Sequence, residues 1–104
     1  MNDIKAELNN RLEKNKQEQD KILNSMNLLP KGHINTLYRN NKGYYYLTYR
    51  EGKKVRNDYL GPVGKADLND TIAKLRKREE LNKQLEVLKK EEKTLKRLIK
   101  KSSI

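Results

Sequence analysis

The spacing of apolar residues changes twice along the chain, and this limits the folds that it can adopt. In residues 1–27 apolar side chains recur at helical spacing, as at Ile4 and Leu8. Residues 33–60 are instead rich in tyrosine and β-branched residues, which favour strands. From Leu81 onward the spacing is that of a heptad seam. The sequence therefore predicts a helix, a small sheet and a second helix.

The predicted strands cover residues 33–39, 44–50 and 54–60 and are separated by the turn-forming sequences NNKG and EGK. Asn41 and Gly43 can supply the positive φ angles that the first tight turn requires. Strands joined this closely run antiparallel, so we predict a three-stranded β-meander.

The second helix is predicted over residues 67–100, with Asp67 as its N-cap. Its inward seam consists of Leu81, Leu85, Leu88, Leu95 and Ile99, with Glu92 in the remaining slot. In the first helix, Asn15 and Gln19 occupy inward positions, where polar residues can fix the register of a helical pair. We expect the two helices to form an antiparallel coiled-coil-like pair. A homodimer through the second helix is the rival arrangement.

These elements predict a single α+β domain over residues 1–104. The N-terminal helix covers 1–27, the β-meander 33–60 and the long basic helix 67–100. Only 34% of the residues are hydrophobic, and neither Phe nor Trp is present. The core is therefore expected to be thin, with apolar stripes on the helices and on one face of the sheet.

The net charge of +11 favours an anionic partner. Residues 31–64 contain seven basic and two acidic side chains, and residues 89–101 contain seven and two. A membrane-surface helix would need Trp or Phe on a wide apolar face, and a spanning helix about 20 apolar residues. DNA, RNA or a nucleic-acid-bound protein such as a nuclease is therefore the expected partner, with no membrane association. The lack of cysteine and of a signal-like N-terminus favours a cytoplasmic protein.

The residues that usually carry catalysis are scarce. The chain has one histidine, His33, no cysteine and no phosphate-binding loop or metal-protease motif. Most carboxylates stand at helical spacing from lysines, as Glu92 does from Lys96, which is typical of solvated surface pairs. We therefore expect a non-catalytic protein without a metal site or a cofactor.

All six tyrosines lie between residues 38 and 59. Strand alternation predicts one face with Tyr45, Leu47, Tyr49, Val55 and Tyr59, which would pack against a helix. The other face would carry Tyr44, Tyr46, Thr48, Arg50, Lys54 and Arg56. On an open surface, such rings can stack on bases while the cations neutralise phosphates. The competing interpretation is that the tyrosines replace Phe in a thin core and the basic residues form a solubilising exterior.

The candidate nucleic-acid-binding residues follow from this pattern and from the basic end of the second helix. They are Tyr44, Tyr46, Arg50, Lys53, Lys54, Arg56, Lys96, Arg97, Lys100 and Lys101.

The sequence of residues 28–61 is LPKGHINTLYRNNKGYYYLTYREGKKVRNDYLG. It resembles a group of small bacterial and archaeal proteins that share a YYYL-x-YREG-x-KV-x-x-x-YLG core followed by a leucine- and lysine-rich helix. Similar hairpins occur near the start of some insertion-element transposases. Some members have a cysteine-rich knuckle before the YYYL strand, but residues 39–43 contain no cysteine here, so no metal role is implied. The resemblance implies association with prokaryotic chromosomes, phages or mobile elements.

Two functional hypotheses follow. The first is a small basic protein that binds DNA or RNA without catalysis. The alternative is a protein-binding inhibitor or adaptor, such as a phage-encoded anti-CRISPR protein that blocks a host nuclease or the loading of its guide RNA. The alternative predicts salt-resistant binding that depends on the seam residues Leu81, Leu85 and Leu88.

Overall fold

The structure is a computed structural model, and it describes residues 3–102. Helix α1 (Asp3–Asn27) is followed by strands β1 (His33–Arg39), β2 (Lys42–Glu51) and β3 (Lys54–Pro62). A short 3₁₀ helix (Ala66–Leu68) precedes helix α2 (Asn69–Ser102). The strand order is β1-β2-β3, and both pairs are antiparallel. The predicted α+β class, with its β-meander between two helices, is confirmed.

The beginning of the second helix differs from the prediction. Asp67 was expected to be the N-cap, but it lies inside the 3₁₀ helix, and α2 begins two positions later at Asn69. That N-cap assignment is therefore wrong.

The chain divides into two compact units, described here separately. The helical unit contains α1 and the part of α2 that begins at Leu81. The sheet unit covers residues 28–80 and contains the sheet, the 3₁₀ helix and the first part of α2. The prediction of one domain over residues 1–104 stays a prediction.

The helical unit has a narrow apolar core. Its buried apolar residues are Ile22, Met26, Leu81, Leu85 and Leu95. Leu88, Glu92 and Ile99 are half-buried, so the predicted heptad positions of α2 do face inward. At the start of the stripe, Ile4 is 72% exposed and does not belong to the core.

The polar slot of α1 is buried as expected. The side chain of Asn15 is 3% exposed, and its Nδ2 donates to the backbone oxygen of Leu88 at 2.9 Å. Gln19 Nε2 donates to Asn15 Oδ1 at 2.7 Å and to Glu92 Oε1 at 3.4 Å. These bonds join α1 to α2 within one chain, and such polar contacts can fix register. The antiparallel coiled-coil-like geometry stays a prediction, as does the homodimer.

The two turns of the sheet are of the tight kinds that match strand twist. Asn40 and Asn41 both have positive φ, 51° and 64°, as in a type I′ turn. In the second turn Gly52 has φ 62° and Lys53 does not, as in a type II′ turn. Gly43, expected in the first turn, lies instead within β2 and has no positive φ.

A β-bulge near the end of β3 brings the 3₁₀ helix close to the sheet. Tyr45 pairs with Gly61 and Tyr46 with Tyr59, which leaves Leu60 as the extra residue. Gly61 has φ 148°, and a Cβ there would lie 2.7 Å from Leu68 Cδ1. The positive φ favours glycine at this position, and the short distance places Leu68 on the face of the sheet that carries Tyr45.

Candidate nucleic-acid interface

The strand register decides which side chains share a face. Tyr46 pairs with Asn35 on β1 and with Tyr59 on β3, while Arg50 pairs with Val55. Directly paired residues of antiparallel strands project to the same side. We call this side the open face, and its residues are His33, Asn35, Leu37, Arg39, Lys42, Tyr44, Tyr46, Thr48, Arg50, Val55, Asn57 and Tyr59.

The exposure of its side chains supports calling this side the open face. On β1, Asn35 and Leu37 are exposed, whereas Ile34 and Thr36 between them are half-buried. On β3, Val55 and Tyr59 are 61% and 55% exposed. Apolar side chains this accessible on a sheet face have no covering element of the sheet unit over them.

Three tyrosines form a cluster on the open face. The ring centroids of Tyr46 and Tyr59 lie 5.4 Å apart at 57°, and those of Tyr44 and Tyr59 lie 6.3 Å apart at 48°. Both distances and both tilted geometries are favourable for aromatic pairs. The rings hold one another in place and leave Tyr59 more than half exposed.

A cleft lies beside the cluster at the first turn. It has a volume of about 470 Å³ and is lined by Arg39, Asn40, Lys42 and the three tyrosines. Arg39 and Lys42 pair directly across the type I′ turn, so two cations stand side by side. Among residues 3–102, neither is in an ion pair.

A polar row crosses all three strands of the open face. Asn35 Nδ2 donates to Thr48 Oγ1, and Thr48 Oγ1 donates to Asn57 Oδ1 at 2.5 Å. Arg50 is exposed further along β2, and it has no carboxylate partner within the described part of the chain. The open face thus offers rings, amides and unpaired cations.

On the opposite face, an arginine and a tyrosine already have partners within the protein. Arg56 Nε forms an ion pair with Glu51 at 3.0 Å. Tyr49 donates its hydroxyl to Asp58 Oδ2 at 2.9 Å. The hydrogen bond to Asp58, with desolvation and the charges of Asp58 and Glu51, raises the pKa of Tyr49 above its ordinary value.

The predicted division of the sheet residues is correct for β2 and wrong for β3. Tyr44, Tyr46 and Arg50 lie together on the open face, but Lys54 and Arg56 lie on the opposite face, and Lys53 is in the turn. The predicted positions of Val55 and Tyr59 are also wrong, because both lie on the open face. Since the second turn has only two residues, Glu51 pairs with Lys54, and odd positions of β2 share a face with even positions of β3.

Sequence reasoning missed the cations of the first turn. Arg39 and Lys42 flank the Asn40–Asn41 turn, and they belong to the open face because they pair with each other. The signal was present in the sequence: two adjacent asparagines favour a two-residue type I′ turn, which makes their neighbours a cross-strand pair.

The basic residues of α2 divide into paired and unpaired groups. Lys96 forms an ion pair with Glu92 at 3.6 Å. Lys90, Lys93 and Arg97 line a shallow cleft of about 350 Å³ together with Thr94. Their spacing of three and four places them on one side of the helix, away from the seam.

Two further candidates of α2 lie in its last turn. Lys100 and Lys101 are near the C-terminal end, where cations also interact favourably with the helix dipole. Neither of them forms an ion pair within residues 3–102.

Within residues 3–102, no group of three or more His, Cys, Asp or Glu side chains could hold a metal ion. Neither of the helices within residues 3–102 contains an apolar stretch of the length that a membrane span requires.

Residues 1–70 match the model of a family described as a domain of unknown function, DUF6788. The chain belongs to the DUF6788 family. The DUF6788 match includes α1 and the entire sheet, so the open face lies inside it. Lys90, Lys93 and Arg97 lie beyond it. No curated protein and no solved structure matches the chain.

Proposed function

We propose that the protein is a non-catalytic nucleic-acid-binding protein that uses the open face of its sheet. The observation that supports this most is the cluster of Tyr44, Tyr46 and Tyr59, with the unpaired cations Arg39 and Lys42 beside it. Aromatic rings stack on bases, and Lys or Arg side chains neutralise phosphates. One surface therefore offers both kinds of contact.

The charge distribution supports the same proposal. The segment with the sheet, residues 31–64, carries seven basic and two acidic side chains. Both acidic residues, Glu51 and Asp58, lie on the opposite face, in contact with Arg56 and Tyr49. Arg39, Lys42 and Arg50 of the open face therefore have no carboxylate partner within residues 3–102. His33, at the start of β1, differs from them because its ring lies 2.6 Å from Glu79 Oε1.

Helix α2 adds a second basic surface. Lys90, Lys93 and Arg97 would add electrostatic, sequence-independent attraction to a phosphate backbone. Lys96 contributes less, because Glu92 already neutralises part of its charge.

The test is binding of labelled single- and double-stranded oligonucleotides across a salt series. Each phosphate neutralised contributes a slope of about −0.7 on single strands and −0.9 on duplex, in log K against log salt. We expect steep salt dependence and weaker binding by Arg50→Glu. Arg56→Glu is the matched control, because it makes the same charge change on the opposite face. Equal effects of the two substitutions, or affinity that hardly changes with salt, would contradict the proposal.

A protein partner is the second candidate. Leu37 and Val55 are 49% and 61% exposed on the open face, and exposed aliphatic side chains suit a protein interface better than a phosphate backbone. An inhibitor or adaptor of a host nuclease, of phage or mobile-element origin, would fit. Salt-resistant binding to such a nuclease, lost on Leu37→Glu and retained by Arg50→Glu, would favour it.

The protein-partner alternative predicts that binding depends on the seam residues of α2, but two of these residues are buried. Leu81 and Leu85 are 8% and 4% exposed, so they are packed within the helical unit and offer little surface to a partner. Their substitution is expected to act through the stability of that unit.

A further inference from the structure

The cleft at the first turn combines three chemistries within one small space. The rings of Tyr44, Tyr46 and Tyr59 supply an apolar wall, Arg39 and Lys42 supply positive charge, and Asn40 supplies an amide. Its volume of about 470 Å³ is within the range of small-ligand sites. A ligand with a planar aromatic group joined to a phosphate could contact the apolar wall, the positive charge and the amide.

The pair of cations is costly without an anion. Arg39 and Lys42 stand directly opposite each other, and like charges in such positions destabilise a sheet. Within the described residues no carboxylate offsets them. A phosphate group bound between them would remove this repulsion, so the free protein is electrostatically ready for a phosphate.

The turn that carries these residues is conformationally restricted. Positive φ at both Asn40 and Asn41 fixes a type I′ turn, which holds Arg39 and Lys42 in register. A contact made by pre-positioned groups loses less conformational entropy on binding. The side-chain amide of Asn40 can both donate and accept, as an interaction with a base edge requires.

To stack on these tyrosine rings, a base must have one of its flat faces free. In a duplex each base is stacked on its neighbours, and moving one out of the stack costs free energy. Tyr59 is 55% exposed and its ring lies next to the rings of Tyr44 and Tyr46, so part of its surface is accessible to a planar group. An unpaired base meets this condition without the unstacking cost.

We propose that this cleft is a subsite for one unpaired base of a single-stranded nucleic acid, with the adjacent phosphate between Arg39 and Lys42. This inference depends on the proposed function and narrows it from nucleic acid in general to single strands. The base stacks on the cluster of Tyr44, Tyr46 and Tyr59, and the Asn40 amide meets its edge.

The first experiment compares three probes of equal length with the full chain. They are single-stranded oligodeoxythymidylate, the same strand with abasic sites at its internal positions, and the thymidylate strand annealed to oligodeoxyadenylate. The intact and abasic strands have the same phosphates, so their difference isolates the bases. We expect the intact strand to bind about tenfold more tightly than the abasic strand, since stacking of one base gives an effect of this order. An oligouridylate strand with its abasic counterpart repeats the comparison for RNA, and a base-dependent gain with either sugar supports the proposal.

The outcomes separate the two proposals. Salt-dependent binding that is equally tight to intact, abasic and duplex probes would overturn the base subsite and leave the proposed function standing. Absence of salt-dependent binding to every probe would overturn both.

The variants test the residues. Tyr59→Leu should remove most of the tenfold preference for bases, whereas Tyr38→Leu should keep it. Tyr38 is a suitable control because it is 72% exposed and pairs with Gly43, on the opposite face. Equal loss of preference in both variants would contradict the assignment.

A second measurement needs no substitution in the protein. Photocrosslinking of wild-type protein to a strand containing iodouracil, followed by mass spectrometry, identifies the residues near the base. We expect crosslinks at Tyr44, Tyr46 or Tyr59. Crosslinks confined to Tyr38 or Tyr49 would overturn the proposal even if Tyr59→Leu failed to fold.

Discussion

Arginine and tyrosine side chains occur on both faces of the sheet but have different partners there. On the opposite face, Arg56 is paired with Glu51, and the hydroxyl of Tyr49 is bound to Asp58. On the open face, Arg50 has no carboxylate partner within residues 3–102, and the tyrosines contact one another through their rings. The difference shows that composition alone does not make a binding surface. A charged or aromatic side chain is available to a ligand only where the fold has not already satisfied it.

The two turns of the sheet also differ in their electrostatic energy. Arg39 and Lys42 repel each other across the first turn, while Glu51 and Lys54 are opposite charges across the second turn. One turn is therefore electrostatically favourable in the free protein, and the other becomes favourable when an anion binds. The predictions below test this contrast, beginning with the largest expected effect.

The largest effect is expected from removing the cations of one turn. Arg39→Ala with Lys42→Ala should make the salt slope for a single strand shallower by about 0.7, because the one phosphate bound between them is no longer neutralised. The matched control, Lys54→Ala with Arg56→Ala, removes the same charge from the opposite face and should leave the slope nearly unchanged. The measurement is fluorescence anisotropy over a salt series. If the slope of the control variant became shallower by the same amount, the two faces would not differ in function.

Lys42→Glu should separate binding from stability. Placing a carboxylate opposite Arg39 replaces repulsion by attraction, which should raise the free energy of unfolding by about 0.2–1 kcal/mol. The same change should weaken oligonucleotide binding, because a phosphate would meet a negative charge. Urea denaturation and binding assays on one protein sample check both signs. A destabilised Lys42→Glu variant would contradict the argument that the two cations repel in the free state.

A smaller effect is expected from the polar row. Thr48→Val removes the hydroxyl that joins Asn35 to Asn57 and should lower the free energy of unfolding by about 0.5 kcal/mol. The value is at the low end because both amides are exposed and can bond to water. Thr36→Val is the control, since Thr36 pairs with Tyr45 on the opposite face. Urea denaturation of both variants gives the comparison, and equal losses would show that the row contributes nothing.

The smallest effect concerns Tyr49. Because its pKa is raised, first by the hydrogen bond to Asp58, the fold favours the neutral phenol. The associated stability is complete below the ordinary tyrosine pKa of about 10 and is lost as the pH rises through the raised pKa. Asp58→Ala should make Tyr49 ionise at lower pH, and Glu51→Ala should do so by less. NMR titration of the ring carbon that bears the hydroxyl measures the shift. An unchanged midpoint in Asp58→Ala would remove the hydrogen bond as its cause.

Much of the fold was predictable because it follows from local periodicity. The spacing of Leu81, Leu85 and Leu95 identified the inward side of α2, and all three are buried. Asn15 was placed inward by the same counting, and its amide bonds to Leu88. Such positions follow from the angular repeat of a helix, which does not depend on the rest of the molecule.

The candidate site was only partly predictable, because it depends on how strands pair. Alternation along β2 placed Tyr44, Tyr46 and Arg50 together correctly, as any single strand would. The position of Tyr59 and Arg56 relative to them depends on the length of the second turn, and a difference of one residue exchanges their faces. The tyrosine cluster on the open face is therefore a product of register.

The sequence by itself determined the order and kind of the elements, the inward stripe of α2, the inward polar positions of α1 and the alternation within each strand. These are properties of neighbouring residues on one segment. Only the tertiary structure decided that Tyr59 joins Tyr46, that Arg56 is neutralised by Glu51, and that Arg39 and Lys42 have no carboxylate partner within residues 3–102. Those relations join residues of different strands, and the register that brings them together is set by the geometry of the two turns.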